Sequence, residues 1–322
     1  MPEKGDTMSQ PPVHNRITDI TGTAYPIVQA PMGWIARAQL ASAVSNAGGL
    51  GIIETSSGEL DNIKAEVARM RELTDKPFGM NVALSFVKGT DIIDFVIKQG
   101  IRFVTTSSGS PSVCTQAFQQ AGITVFHVVP TLELAMKAID AGVDGLVVEG
   151  GEGGGFKNPS PVSTMVLLPL IRSRVDVPII AAGGISDGVS MAAAFALGAE
   201  GVQMGTRMLS SAESPVHSHW KQAVVDALAT DTVFLNQASR PALRALRTER
   251  TAALQPLGSF NVMEHMANVL DLYFGGDMEA AIPLAGEVCG RIDSVETVAD
   301  IIESTMRQFR QTIAEQASRY TA

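Results

Sequence analysis

Eight short apolar runs rich in β-branched residues punctuate the chain, at residues 26–32, 50–54, 78–84, 101–107, 123–129, 145–149, 178–182 and 201–204. Several are continuously apolar rather than alternating, as parallel strands are when helices cover one face and packed side chains the other. Between them lie segments of helical period at 36–47, 60–73, 91–98, 112–121, 132–141 and 186–197, many closed by glycine in the phrases AGG, QGI, AGI, AGV and LGA. A helix-ending glycine followed at once by a strand, repeated this often, marks successive βα units with right-handed crossovers. Eight such units predict closure into a (β/α)8 TIM barrel, an α/β fold of about 250 residues, and the chain has 322. A doubly wound sheet is the competing fold, but it requires GxGxxG after its first strand. Here that strand ends in Ala30-Pro31-Met32-Gly33, and Gly48-Gly49-Leu50-Gly51 lies before a strand.

The pattern changes after Gly205-Thr206-Arg207. We expect a barrel over residues 13–209, a smaller, mainly helical accessory segment over 210–283 that shapes the substrate pocket, and a C-terminal helix within 284–322 that returns to the barrel. Helices are predicted at 242–254 and 263–273, and at 294–309, where Val298, Ile301, Ile302 and Phe309 share one face. The first twelve residues read as a loose polar tail without the apolar stretch of a signal peptide, and no run reaches the roughly 18 apolar residues of a membrane span.

Charge and cysteine content narrow the function. Twenty-four basic against 33 acidic residues give a net charge of −9, which repels nucleic acid and anionic membranes, so any phosphate must be held locally. Cys114 and Cys289 form no CxxC pair, which points away from disulfides and zinc and toward a reducing, cytoplasmic setting. His217 and His219 are two apart, a spacing that puts them on different helical faces, and we predict no metal.

In such a barrel the chemistry sits at the C-terminal strand ends, with phosphate commonly bound by the loops after strands seven and eight. Strand seven ends in Ala182-Gly183-Gly184-Ile185-Ser186-Asp187-Gly188 and strand eight in Met204-Gly205-Thr206. Backbone without side chains lets amides approach an anion there; relief of crowding in turns is the plainer reading. The strand-six end, Glu149-Gly150-Gly151-Glu152-Gly153-Gly154-Gly155, has five glycines among seven residues, an entropic cost that suits close approach by something flat or large.

These motifs, with Gln29-Ala30-Pro31-Met32-Gly33, Gly79-Met80-Asn81 and Met204-Gly205-Thr206-Arg207, resemble the nitronate monooxygenase family (2-nitropropane dioxygenases) and its relatives among FMN-dependent enoyl reductases, over nearly the whole chain. The resemblance implies FMN as cofactor. Ala30, Pro31, Met32, Gly33 and Asn81 would border its ring, Glu149, Gly154 and Gly155 would pass beside it, and Gly183, Gly184, Gly205 and Thr206 would hold its phosphate. Asn81 reads otherwise as a polar strand cap, and Glu149 as a structural partner of the glycine loop.

One departure bears on the reaction. Where the family has a histidine after these glycines, this chain has Phe156, which cannot exchange protons. The substitutes in reach are Lys157, otherwise a solvated loop charge, and His127, otherwise an interior histidine. Ser107 and Ser108 either meet ligand or cap a helix. Glu287 stands where relatives often have glutamine. The resemblance implies oxidation of a small carbon acid such as an alkyl nitronate with oxygen. The alternative, favoured by Phe156, is NAD(P)H-driven reduction of an activated double bond, as in an enoyl-CoA or enone, or of a quinone. A flavin-free phosphate-ligand barrel is the third reading, but a lyase of that kind wants a buried lysine or paired carboxylates at the strand ends, and none is evident there from the sequence alone. Arg240, Arg244, Arg247 and Arg250 read either as an entrance for a coenzyme A thioester or as a solvated helix face.

Overall fold

The computed structural model of the chain describes residues 10–57, 60–86 and 90–321; most of the expected polar tail lies outside them. Strands β1 (Ile27–Gln29), β2 (Gly51–Ile53), β3 (Phe78–Ala83), β4 (Phe103–Ser107), β5 (Thr124–Val129), β6 (Gly145–Glu149), β7 (Gly155–Lys157), β8 (Ile179–Ala182), β9 (Gly201–Met204), β10 (Thr232–Leu235) and β11 (Ala242–Leu246) form two sheets. The larger is parallel, in the order β1-β9-β8-β6-β5-β4-β3-β2. Its ends join through a parallel bridge between Val28 and Leu50, with Gln29 N donating to Leu50 O at 3.0 Å. The eight expected strands therefore close as a barrel, each within its anticipated run.

Side-chain alternation divides the barrel into layers. Ile27, Ile53, Met80, Val104, Val125, Leu146, Ile179 and Val202 face the helices. Val28, Ile52, Phe103, Phe126, Val147 and Ile180 fill the interior, where Ile17 of the short helix Arg16–Thr21 packs beside the start of β9. The interior becomes polar toward the opposite, C-terminal end.

Helix Val298–Tyr320 returns to the barrel as expected, burying Val298, Ile301, Ile302, Thr305, Met306 and Phe309. It lies so close to helix Gly188–Ala196 that a Cβ on Gly188 would stand 2.2 Å from Phe309 N.

The accessory segment corrects two expectations: the helix expected at 263–273 is broken into Val262–His265 and Val269–Tyr273, and the one expected at 242–254 begins as a strand. Residues 242–246 form strand β11, not the first half of a helix, and only Glu249–Leu254 is helical there. The stretch ALRAL favours helix by propensity, but pairing overrides it: β11 is antiparallel to both β10 and β7. Leu243 and Ala245 then join Val233, Leu235 and Ile282 in a separate small core. Because β7 follows directly from the glycine loop, the accessory sheet is hydrogen-bonded to the strand-six end of the barrel.

Candidate active site

Asn81, Ser107, Glu149 and Gln203, inward-facing at the C-terminal ends of β3, β4, β6 and β9, are polar. Asn81 (2% exposed) donates through Nδ2 to Thr105 Oγ1 at 3.0 Å on β4, and Ser107 Oγ lies 3.5 Å from Asn81 Oδ1. Gln203, on β9, is buried with its Oε1 unpartnered among the described residues. It escaped the sequence reading, although a lone glutamine in the apolar run GVQM was a signal that one polar group faces the barrel interior.

The strand-six end carries an ion pair. Lys157 Nζ lies 2.5 Å from Glu149 Oε1; the lysine side chain is 3% exposed and the glutamate 24%. A buried ammonium needs such a partner, since unpaired burial of charge is strongly unfavourable. The β7 pleat explains which side chain enters. Lys157 lies opposite Ala242 and on the barrel side, whereas Phe156 lies opposite Leu243 on the other face and is 40% exposed. A Cβ on Gly153 would meet both Glu149 Oε1 (3.0 Å) and Lys157 Nζ (3.1 Å). The glycine run is partly structural, for a Cβ on Gly154 would come within 2.6 Å of the Ala285 backbone.

The other loops converge on the same end. Gly183 and Gly184 have φ of +87° and +77°, and a Cβ on Gly183 would stand 2.9 Å from Gly150 O. Asp187 caps the following helix by accepting from Ser190 N at 2.8 Å. Burial pushes the Asp187 carboxyl up, but the Ser190 amide, Arg291 and the Ser190 hydroxyl outweigh it and hold it below its ordinary value. Ser186 Oγ, in this turn, is buried without a partner among the described residues. Gly205 precedes the short helix Thr206–Leu209, and Thr206 Oγ1 accepts from Gly286 N at 2.9 Å. Ala30 N donates to Met204 O at 2.9 Å, tying the half-buried Ala30–Gly33 turn to the same strand end.

Behind that turn stands a support not anticipated from sequence. Glu54, fully buried, accepts from Trp34 N (3.1 Å), Ser56 Oγ (2.7 Å) and Ser57 N (3.0 Å) and pairs with Arg37 at 3.2 Å.

His127 is not brought into this group. Phe126 and Val128 face inward, so His127 faces the helices and is bonded through Nδ1 to Thr106 Oγ1 at 2.7 Å. Burial drives its imidazole down to about 4, with Thr106 opposing. The arginines also separate. Arg240 and Arg247 are exposed, Arg250 donates to Glu279 O, and Arg244, on β11 rather than a helix face, pairs with Glu287 at 2.7 Å. His217 Nδ1 accepts from His219 N at 3.1 Å, and no group of His, Cys, Asp or Glu among the described residues is arranged to hold a metal. Nor is any described helix long and apolar enough to cross a membrane.

This arrangement matches known proteins. The nitronate monooxygenase family model covers residues 14–95 and 86–308. A Mycobacterium tuberculosis protein named (3aS,4S,5R,7aS)-5-hydroxy-7a-methyl-1-oxo-octahydro-1H-indene-4-carboxyl-CoA dehydrogenase is 31% identical over 334 residues, covering 89% of this chain and 94% of that protein. A probable nitronate monooxygenase of Staphylococcus saprophyticus is 30% identical over 279 residues, or 73% and 79% of the two chains. The structure of FabK from Thermotoga maritima superposes with a TM-score of 0.90 at 36% identity, over 95% of this chain and 99% of that one. With its barrel, strand-end glycine loops and family match together, the chain belongs to the nitronate monooxygenase family of oxidoreductases.

Proposed function

We propose that this protein is an FMN-dependent oxidoreductase that uses NAD(P)H to reduce the activated double bond of a coenzyme A thioester. The observation that carries the reaction is the inward Lys157–Glu149 pair at the strand-six end, with Phe156 turned away. The orphaned Gln203 Oε1 and Ser186 Oγ, beside two left-handed glycines, fit a polar ligand with a phosphate. Ala30–Gly33, Asn81 and Gln203 would border its ring, and Gly183, Gly184, Gly205 and Thr206 its phosphate. Bound FMN supplies hydride chemistry.

The chain's own residues do the rest. As a 2-enoyl thioester gains a hydride at its β-carbon, negative charge develops on the thioester oxygen, and the ammonium of Lys157, whose side chain is 3% exposed, stabilises it. Lys157 Nζ then gives a proton to the α-carbon, completing the C–H pair, while Glu149 holds Nζ in place, and solvent returns the proton to Nζ after turnover. The near full-length similarity to a named CoA-ester dehydrogenase supports the thioester.

Nitronate oxidation is the second reading, favoured by the family match, and the same ammonium would bind an anionic nitronate. Steady-state assays of the FMN-loaded protein with NADH or NADPH and crotonyl-CoA, against oxygen uptake with propyl nitronate, separate the two. We expect nicotinamide-dependent enoyl reduction that falls about 100-fold in Lys157→Met. Turnover of nitronate alone would replace this reading with the second.

A further inference from the structure

We infer that Arg244 is a positioning residue for Lys157, clamping the glycine loop to the accessory sheet so that Lys157 rather than Phe156 enters the barrel mouth. The inference rests on the catalytic reading of Lys157. The loop has glycine at positions 150, 151, 153, 154 and 155, so side chains contribute little to its placement and backbone bonds must set it. Gly150 N is bonded to Ala182 O (2.9 Å) and Gly151 N to Val162 O (2.8 Å), and the Glu152 carboxylate accepts from Thr164 N (2.9 Å). These bonds tie the loop's first half to the barrel and the following helix.

The carbonyls of Gly151 and Glu152, in the same stretch, are held from the opposite side, by β11 and by the segment that follows the accessory sheet. Arg244 Nε donates to Gly151 O at 2.7 Å, and Glu287 N donates to Glu152 O at 2.9 Å. Arg244 also pairs with Glu287 Oε1 (2.7 Å), donates to Thr232 Oγ1 (3.2 Å), and lies 5.4 Å from the centroid of the Phe234 ring. Its side chain is 12% exposed. The β11 register places Arg244 opposite Gly155 and Ala242 opposite Lys157. Arg244 and Lys157 therefore share the barrel-facing side of the sheet, and a slip of one residue would turn Phe156 inward instead. Glu287 neutralises Arg244, leaving Glu149 to Lys157. With Gly151 O, Thr232 and Glu287 all engaged, Arg244 acts through the loop, not on substrate.

The test compares Arg244→Gln and Arg244→Lys, in the wild-type and Lys157→Met backgrounds of the FMN-loaded enzyme, by enoyl-reduction kinetics and by amide hydrogen exchange over residues 151–157. Arg244→Gln should lower kcat about tenfold with KM little changed. Arg244→Lys, which keeps the charge but not the fork, should recover part of the loss. In the Lys157→Met background, Arg244→Gln should lower kcat by less than about twofold, since the two act as one unit. Exchange over 151–157 should quicken with Arg244→Gln and not with Lys157→Met alone. Equal losses of kcat in the two backgrounds, or unaltered exchange, would overturn the inference while the Lys157 reading stands. An unchanged kcat in Lys157→Met alone would overturn the Lys157 reading and the inference with it.

Discussion

Gly183 shows how single residues set this site. Its φ of +87° and the 2.9 Å that would separate an added Cβ from Gly150 O leave no room for alanine. Gly183→Ala should cost about 1–3 kcal/mol by chemical denaturation and weaken FMN binding in a fluorescence titration at least about tenfold. His127 makes a separate prediction. Its folded imidazole titrates near 4 against an ordinary value of about 6.5. Between these the unfolded chain takes up a proton that the folded one does not, so the stability from a neutral His127 is complete above about pH 6.5 and lost as pH falls toward 4. Urea unfolding at pH 7 and pH 4.5 should show wild type losing up to about 3 kcal/mol more than His127→Gln; parallel losses would refute this. His127 and Lys157 were equally visible as candidates in the sequence. Only strand parity separates their positions: the inward Phe126 and Val128 turn His127 toward the helices, and the pleat of a three-residue strand not legible in the sequence turns Lys157 toward the barrel mouth.

The elements divide in the same way. The eight barrel strands were legible because each is a continuous apolar run between glycine-closed helices. Strands β7 and β11 were not, since Gly155-Phe156-Lys157 is too short to show a period and ALRAL reads as helix until its partners are known. The C-terminal helix was legible through its apolar stripe, which ends at Phe309; from Gln311 onward the helix is almost wholly solvent-facing. Met306→Ala should therefore cost about 2–5 kcal/mol, whereas ending the chain after Gln311 should leave the denaturation midpoint nearly unchanged. A large loss on truncation would show that the distal helix has a partner not visible in the monomer.

For the whole molecule, the barrel seals its N-terminal end with apolar side chains and leaves its polar groups at the other, where the glycine loops and accessory sheet meet. Ligand binding and stability should then be linked: FMN at 100 times its Kd adds about 2.7 kcal/mol, a rise in melting temperature of about 5 °C, and riboflavin, lacking the phosphate, should add less. The most direct test of the central claim uses the FMN-loaded protein, reduced under nitrogen and mixed with crotonyl-CoA while flavin absorbance is followed. Return of the oxidised band in the wild type, about 100-fold slower in Lys157→Met, is the predicted result. No return with the thioester, or equal rates in the two proteins, would contradict the account.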